Sequence, residues 1–117
     1  MKKVYFLQTC DTCRRILKEI NVEGFERQEI KEHRVTVTQL EEMYQMCGSY
    51  EKLFNKRAKK YRAMGLKDQS LTEQDYRQLL LEEYTFLKRP VFIVEKDIFI
   101  GNSAKEIKRL KERVVRF

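Results

Sequence analysis

Lys3-Val-Tyr-Phe-Leu-Gln-Thr-Cys-Asp-Thr-Cys-Arg-Arg-Ile-Leu-Lys-Glu-Ile20 carries two hydrophobic periodicities in succession. Its first part, Lys3 to Thr9, is rich in β-branched and aromatic residues and reads as a largely buried strand. In the second part Ile16, Leu17 and Ile20 share one helical face, while Arg14, Arg15, Lys18 and Glu19 fall elsewhere. Asn21 and Gly24 bracket the end of that helix. Cys10 and Cys13 therefore stand at a strand-to-helix turn, one helical turn apart.

Working outward, Phe25 to Ile30 reads as a second strand, which makes the opening order strand, helix, strand. A helical section follows. Thr38 with Glu41 suggests a capping box, Leu40, Met43, Tyr44 and Cys47 recur at helical spacing, and Gly48 ends that helix. Leu53-Phe54, Tyr61 and Met64-Gly65-Leu66 suggest short helices, and Thr72-Glu-Gln-Asp75 opens another that runs to about residue 84. Strand chemistry returns after Arg89-Pro90: Val91 to Val94 is a strand, Glu95 to Asp97 a tight turn, and Ile98 to Ile100 the antiparallel partner. Ser103 with Glu106 caps a final helix whose Ile107, Leu110 and Val114 face inward. The expected architecture is one α/β domain over residues 1–117, ordered βαβ, helical insert at about 36–84, ββα. A ferredoxin-like fold also starts βαβ. The Cys-x-x-Cys at the first turn and the lone Pro at the third strand select a thioredoxin-like sandwich instead.

Composition bounds the function. The chain has 117 residues, 42% hydrophobic and 37% charged, as a soluble globular domain has. Runs such as Val91 to Val94 are too short to span a bilayer. Gln8 interrupts the apolar run behind basic Met1-Lys2-Lys3, so no secretory signal is expected and the cytoplasm is the expected compartment. The net charge of +7 concentrates in Lys52 to Arg62 and in Lys105 to Arg116. Such runs are solvated helix faces, a field for polyanions, or a field that holds an oxyanion and lowers a thiol pKa. No zinc-finger spacing, helix-turn-helix or RNP-type aromatic motif accompanies them, so direct nucleic-acid binding is not indicated. Three cysteines exclude a disulfide framework, and only Cys47 and His33 are available to complete a zinc site with Cys10 and Cys13. No metal or organic cofactor is expected.

A thiol attacks as its thiolate, and an ordinary Cys is mostly protonated at neutral pH. At a helix N-terminus, Cys10 faces unpaired N–H groups and the positive end of the dipole. Arg14 and Arg15 add positive charge one turn on, and Arg14 is a candidate oxyanion ligand. Cys13 is placed to resolve a mixed disulfide formed on Cys10. Pro90 belongs at a strand start, because inside a sheet it would remove a ladder hydrogen bond. In thioredoxin-like folds that proline is in cis and faces the thiol. Cys47, on the apolar face of its helix, reads as a small buried hydrophobe, and His33 as a surface side chain.

Three stretches together make the chain resemble the family of glutaredoxin-coupled arsenate reductases (ArsC) and Spx proteins over nearly its full length. They are Thr9-Cys-Asp-Thr-Cys-Arg14, Leu53-Phe-Asn-Lys-Arg-Ala-Lys-Lys-Tyr-Arg-Ala-Met-Gly-Leu66, and Leu87-Lys-Arg-Pro-Val91 with Phe99-Ile-Gly101. The resemblance implies that Cys10 attacks arsenate and that external thiols, glutathione with glutaredoxin or thioredoxin, complete the reduction. It implies oxyanion ligands at Arg89 and near Arg57, since a guanidinium forms paired hydrogen bonds to a tetrahedral oxyanion. Asn102 stands where arsenate reductases tend to carry an arginine, Asn55 where they often do, and the Cys10/Cys13 pair matches Spx-type proteins. The resemblance thus implies two functions: a reductase acting on a small oxyanion or disulfide with a redox partner protein, or a redox-sensing regulator that binds the RNA polymerase α subunit. A generic thiol–disulfide oxidoreductase is the third.

Overall fold

A computed structural model of the chain describes residues 1–114, so Arg116 of the C-terminal basic run lies outside the described residues. The element order is β1 (Lys2–Phe6), α1 (Asp11–Glu19), β2 (Glu26–Glu29), α2 (Val37–Cys47), α3 (Tyr50–Leu53), α4 (Lys59–Ala63), α5 (Glu73–Glu82), β3 (Val91–Val94), β4 (Asp97–Ile100) and α6 (Ala104–Val114). Short 3-10 turns at Leu66–Asp68 and Tyr84–Phe86 flank α5. This is the thioredoxin-like order expected from the sequence. The residues form two compact units: Met1–Arg34 with the segment from Arg89 onward, and Val35–Lys88.

The first unit is built on a four-stranded sheet ordered β2-β1-β3-β4. β1 pairs parallel with β2, and antiparallel with β3 from Lys2↔Val94 to Tyr5↔Val91. β3 pairs antiparallel with β4 across a two-residue turn in which Glu95 takes φ 55°. Strand alternation sends Val4 of β1 and Phe92 and Val94 of β3 to one face. There they pack with Ile16 and Ile20 of α1 and Leu110 of α6, and with Phe99. Phe25 meets Phe92 edge-on at 5.7 Å, and Ile107 and Val114 close the cluster from α6. Each fully buried aliphatic or aromatic side chain there contributes about 1.5–3 kcal/mol of transfer free energy. All four β3 residues are buried, as the apolar run Val-Phe-Ile-Val requires of a strand covered on both faces.

The second unit is helical. Thr36, not Thr38, caps α2: its hydroxyl accepts the Gln39 N–H while the Gln39 side chain accepts the Thr36 N–H. Both threonines have a Glu or Gln three residues on. Capping at Thr36 starts the helix a half turn earlier and still turns Leu40 and Met43 inward. Gly48 ends the helix at φ 78°, a left-handed conformation that costs other residues about 1 kcal/mol or more. Phe54 is the hub of the unit, within 4.8 to 5.8 Å of the Phe86, Tyr76 and Tyr61 rings. The unit runs past residue 84 because Asn55 N–H donates to Phe86 O at 2.7 Å and Lys88 N–H to Leu53 O at 2.8 Å. These bonds fix the chain immediately before Arg89.

Among the described residues no helix is long and apolar enough to cross a membrane.

Candidate active site

β1 ends at Phe6, and a turn closed by the Cys10 N–H on Leu7 O at 3.1 Å delivers Cys10 to the N-cap of α1. The Arg14 N–H then makes the first helical bond to Cys10 O at 3.1 Å. Cys10 is half-buried, whereas Cys13 is fully buried beneath it. Side-chain position on the same helix thus gives the two sulfurs different solvent contact.

Their acidities move in opposite directions. Burial works against a Cys10 thiolate, but the Cys13 N–H, the Cys13 thiol, the Arg89 guanidinium and the Thr12 N–H outweigh it and hold Cys10 below the ordinary thiol value. For Cys13, burial is the largest influence. With the charge and hydrogen bond of Cys10 added, it pushes the thiol up to about 12, against the Leu7 N–H and Arg89. The site therefore favours ionisation at Cys10 and protonation at Cys13, whose thiol donates to Cys10.

Arg89 reaches this pair through the sheet. The antiparallel register Tyr5↔Val91 lays the chain before β3 beside the residues that lead to Cys10. Pro90 is buried at the start of β3, where its lack of an N–H removes no ladder bond, and the Arg89–Pro90 peptide is cis. At the end of β4 the Gly101 N–H donates to Pro90 O at 2.9 Å, and Asn102 Nδ2 donates to Arg89 O at 3.2 Å.

The site residues drawn from the sequence divide as follows. Cys10, Cys13, Arg89 and Pro90 all belong to the first unit, and the thiols and Arg89 interact. Arg14 is in the same unit, but its guanidinium pairs with Asp11 on the exposed face of α1. Arg57 belongs to the second unit, in an exposed turn where its N–H donates to Asn55 Oδ1 at 3.0 Å. Cys47 is half-buried rather than fully buried, and its thiol donates to Ser49 O at 3.3 Å. His33 is exposed. Among the described residues no group of three or more His, Cys, Asp and Glu side chains is arranged to hold a metal ion.

Sequence reasoning did not assign a role to Asn102, or to Glu29, whose carboxylate accepts the Gln8 N–H at 2.9 Å just before Cys10. The departure from the arginine that arsenate reductases tend to carry marked the first position without showing what it contacts. Nothing local marked the second, because its partner is 21 residues away.

The chain is similar to known proteins over nearly its whole length. The chain is 26% identical to the global transcriptional regulator Spx of Staphylococcus haemolyticus over 120 residues, spanning 99% of this chain and 91% of that protein. It is 28% identical to the global transcriptional regulator Spx 1 of Bacillus cereus over the same shares. An ArsC family related protein from Bacteroides fragilis superposes with a TM-score of 0.77 at 23% identity, covering 94% of this chain and 97% of that one. An arsenate reductase from Vibrio cholerae does so at 0.74 and 19%, covering 97% and 94%, and at these identities the two structures speak for the fold. The sequence model of the ArsC family matches residues 5–110, from β1 through both thiols, Arg89 and Pro90 into α6, and the chain belongs to the ArsC family.

Proposed function

We propose that the chain is a thiol-dependent reductase of the arsenate-reductase type, with Cys10 as nucleophile and Cys13 as resolving thiol. The observation that carries this reading is the opposed acidity of the two thiols on one helix turn, Cys10 held low and Cys13 pushed up. A low-pKa, partly exposed thiolate attacks; a buried thiol waits.

In the proposed cycle the Cys10 thiolate displaces an oxygen of arsenate, which leaves as water after protonation, and forms an S–As(V) bond. Arg89 balances the negative charge of the oxyanion and of the thiolate. Capping Cys10 abolishes the charge and the hydrogen bond that helped keep Cys13 protonated, while Arg89 still favours ionisation. Cys13 then attacks Cys10 Sγ as its proton passes to an oxygen of the departing arsenic group. The S–As bond breaks with its electron pair going to arsenic, which leaves as arsenite, and the two sulfurs end as a disulfide. An external dithiol, glutathione with glutaredoxin or thioredoxin, returns both to thiols.

The test is arsenate-dependent NADPH oxidation, coupled through either reductant, for wild type, Cys10→Ser, Cys13→Ser, Arg89→Ala, Arg14→Ala and Arg57→Ala. Turnover that Cys10→Ser abolishes supports the proposal, and full activity of that variant overturns it. Arg14→Ala and Arg57→Ala assign or withdraw an oxyanion role for each residue.

A second reading is a redox-sensing regulator of the Spx type. The full-length similarity to two Spx regulators and the paired thiols favour it. Absence of turnover with both reductants, together with capture of the RNA polymerase α subunit that depends on the Cys10–Cys13 oxidation state, would establish this alternative.

A further inference from the structure

We infer that Asn102 is a positioning residue for the thiolate, acting on Cys10 through Arg89; the inference rests on the reading of Cys10 as the nucleophile. The Arg89 guanidinium is one of the groups that favour the Cys10 thiolate, and the only side-chain cation among those groups named above. Its effect depends on where the long Arg89 side chain starts, which is fixed by the backbone at the Arg89–Pro90 junction. That junction lacks the Pro90 N–H, so the sheet ladder cannot hold it from that side.

The end of β4 supplies what the ladder does not. Gly101 takes φ 84°, turning the chain out of the strand direction, and its N–H holds Pro90 O at 2.9 Å. The turn brings the next side chain back, and Asn102 Nδ2 holds Arg89 O at 3.2 Å. Two successive carbonyls are thereby held by two successive residues. The Gly101 contact is backbone and survives most substitutions there. The Asn102 contact is a side-chain amide on the carbonyl of the charged residue itself, and it holds the peptide plane from which the Arg89 side chain, whose charge acts on both thiols, starts. Asn102 is exposed and packs into no core, so removing its amide leaves the fold in place.

The experiment is a thiolate-absorbance pH titration of the reduced, substrate-free protein, paired with iodoacetamide alkylation of Cys10 at neutral pH. Wild type, Asn102→Ala, Arg89→Met and the double variant are compared, with thermal melts confirming that each is folded. Asn102→Ala is expected to move the Cys10 titration upward and to slow alkylation about two- to fivefold, as the thiolate fraction falls. In the Arg89→Met background the same substitution is expected to change neither, because the group it positions is gone. An unshifted titration in Asn102→Ala, or an equal shift with and without Arg89, overturns the role of Asn102. A wild-type Cys10 that titrates at the ordinary thiol value overturns the nucleophile assignment as well, so the two failures are distinguishable.

Discussion

Glu29 Oε2 accepts the backbone N–H of Gln8 at 2.9 Å, so the end of β2 holds the segment that carries the chain from β1 to Cys10. The other carboxylate oxygen accepts the N–H groups of Lys31 and Glu32 at 2.7 and 2.8 Å. Burial opposes the charge, but these three donors outweigh it and hold the Glu29 carboxyl below its ordinary range. A lowered folded pKa contributes stability that is present above the unfolded value, about 4.3, and lost as pH falls through the folded one. Glu29→Ala is expected to lower unfolding free energy at pH 7 by about 1–2 kcal/mol, already discounted for solvent screening. Urea denaturation at pH 7 and pH 3 checks it. The gap between wild type and variant narrows in acid if charge carries the effect, and stays constant if only packing does.

Thr36 and Thr72 each close a reciprocal capping box, with Gln39 and Asp75 respectively. Thr36→Ala and Thr72→Ala are expected to cost about 1 kcal/mol each. Thr38→Ala lies inside α2 on an exposed position and is expected to stay within about 0.5 kcal/mol of wild type. Chemical denaturation of the three variants separates the true cap from the neighbour that shares its motif.

That pair of threonines shows where sequence reading stops. Periodicity placed α1, β3, β4 and α6, because each buries one stripe or one continuous run. Thr36 and Thr38 both satisfy the capping pattern, and either start leaves Leu40 and Met43 on the inward face, so the hydrophobic pattern does not choose between them. The thiol pair was legible for a related reason: Cys10 and Cys13 are local to one strand-helix turn, and Pro90 marks a strand start by its own chemistry. The contacts of Asn102 with Arg89 and of Glu29 with Gln8 were not legible, since each joins segments that only the sheet register brings together. Arg14 shows what charge read from position leaves out. Its guanidinium pairs with Asp11, a neighbour three residues back that the sequence displayed but did not weigh.

β4 is an edge strand whose outward groups are occupied by α6. The Glu106 carboxylate accepts the Ile100 N–H at 2.8 Å, and Arg109 donates to Ile98 O at 2.8 Å while lying 4.2 Å over the Phe99 ring. Glu106 also holds Arg109 at 2.9 Å, so one carboxylate secures both ends of the cover. Its removal leaves a strand donor without its partner, and such edges recruit other chains. Glu106→Ala is expected to lose about 1–3 kcal/mol of stability and to associate with rising concentration in light scattering. A variant as stable as wild type that associates no more than wild type does would show that the edge needs no such cover.

Cys13 makes a prediction at alkaline pH. Its folded pKa, pushed up to about 12 first by burial and then by Cys10, lies above the ordinary thiol value. The folded state therefore binds a proton that the unfolded state releases. The resulting stabilisation is fully present below the unfolded value, about 8.5, and is lost as pH rises toward the folded one. Cys10 has the opposite sign, since its lowered pKa makes stability grow with pH up to the unfolded value and level off beyond it. Above that value the slope belongs to Cys13 alone among the two. Reduced wild type should thus lose stability relative to Cys13→Ala with a slope approaching about 1.4 kcal/mol per pH unit. Unfolding curves at closely spaced pH values measure it. Cys10→Ala should retain a shallower version of the slope, because burial of Cys13 persists while the neighbouring charge is gone; parallel pH profiles for wild type and Cys13→Ala would mean that Cys13 ionises as an ordinary thiol.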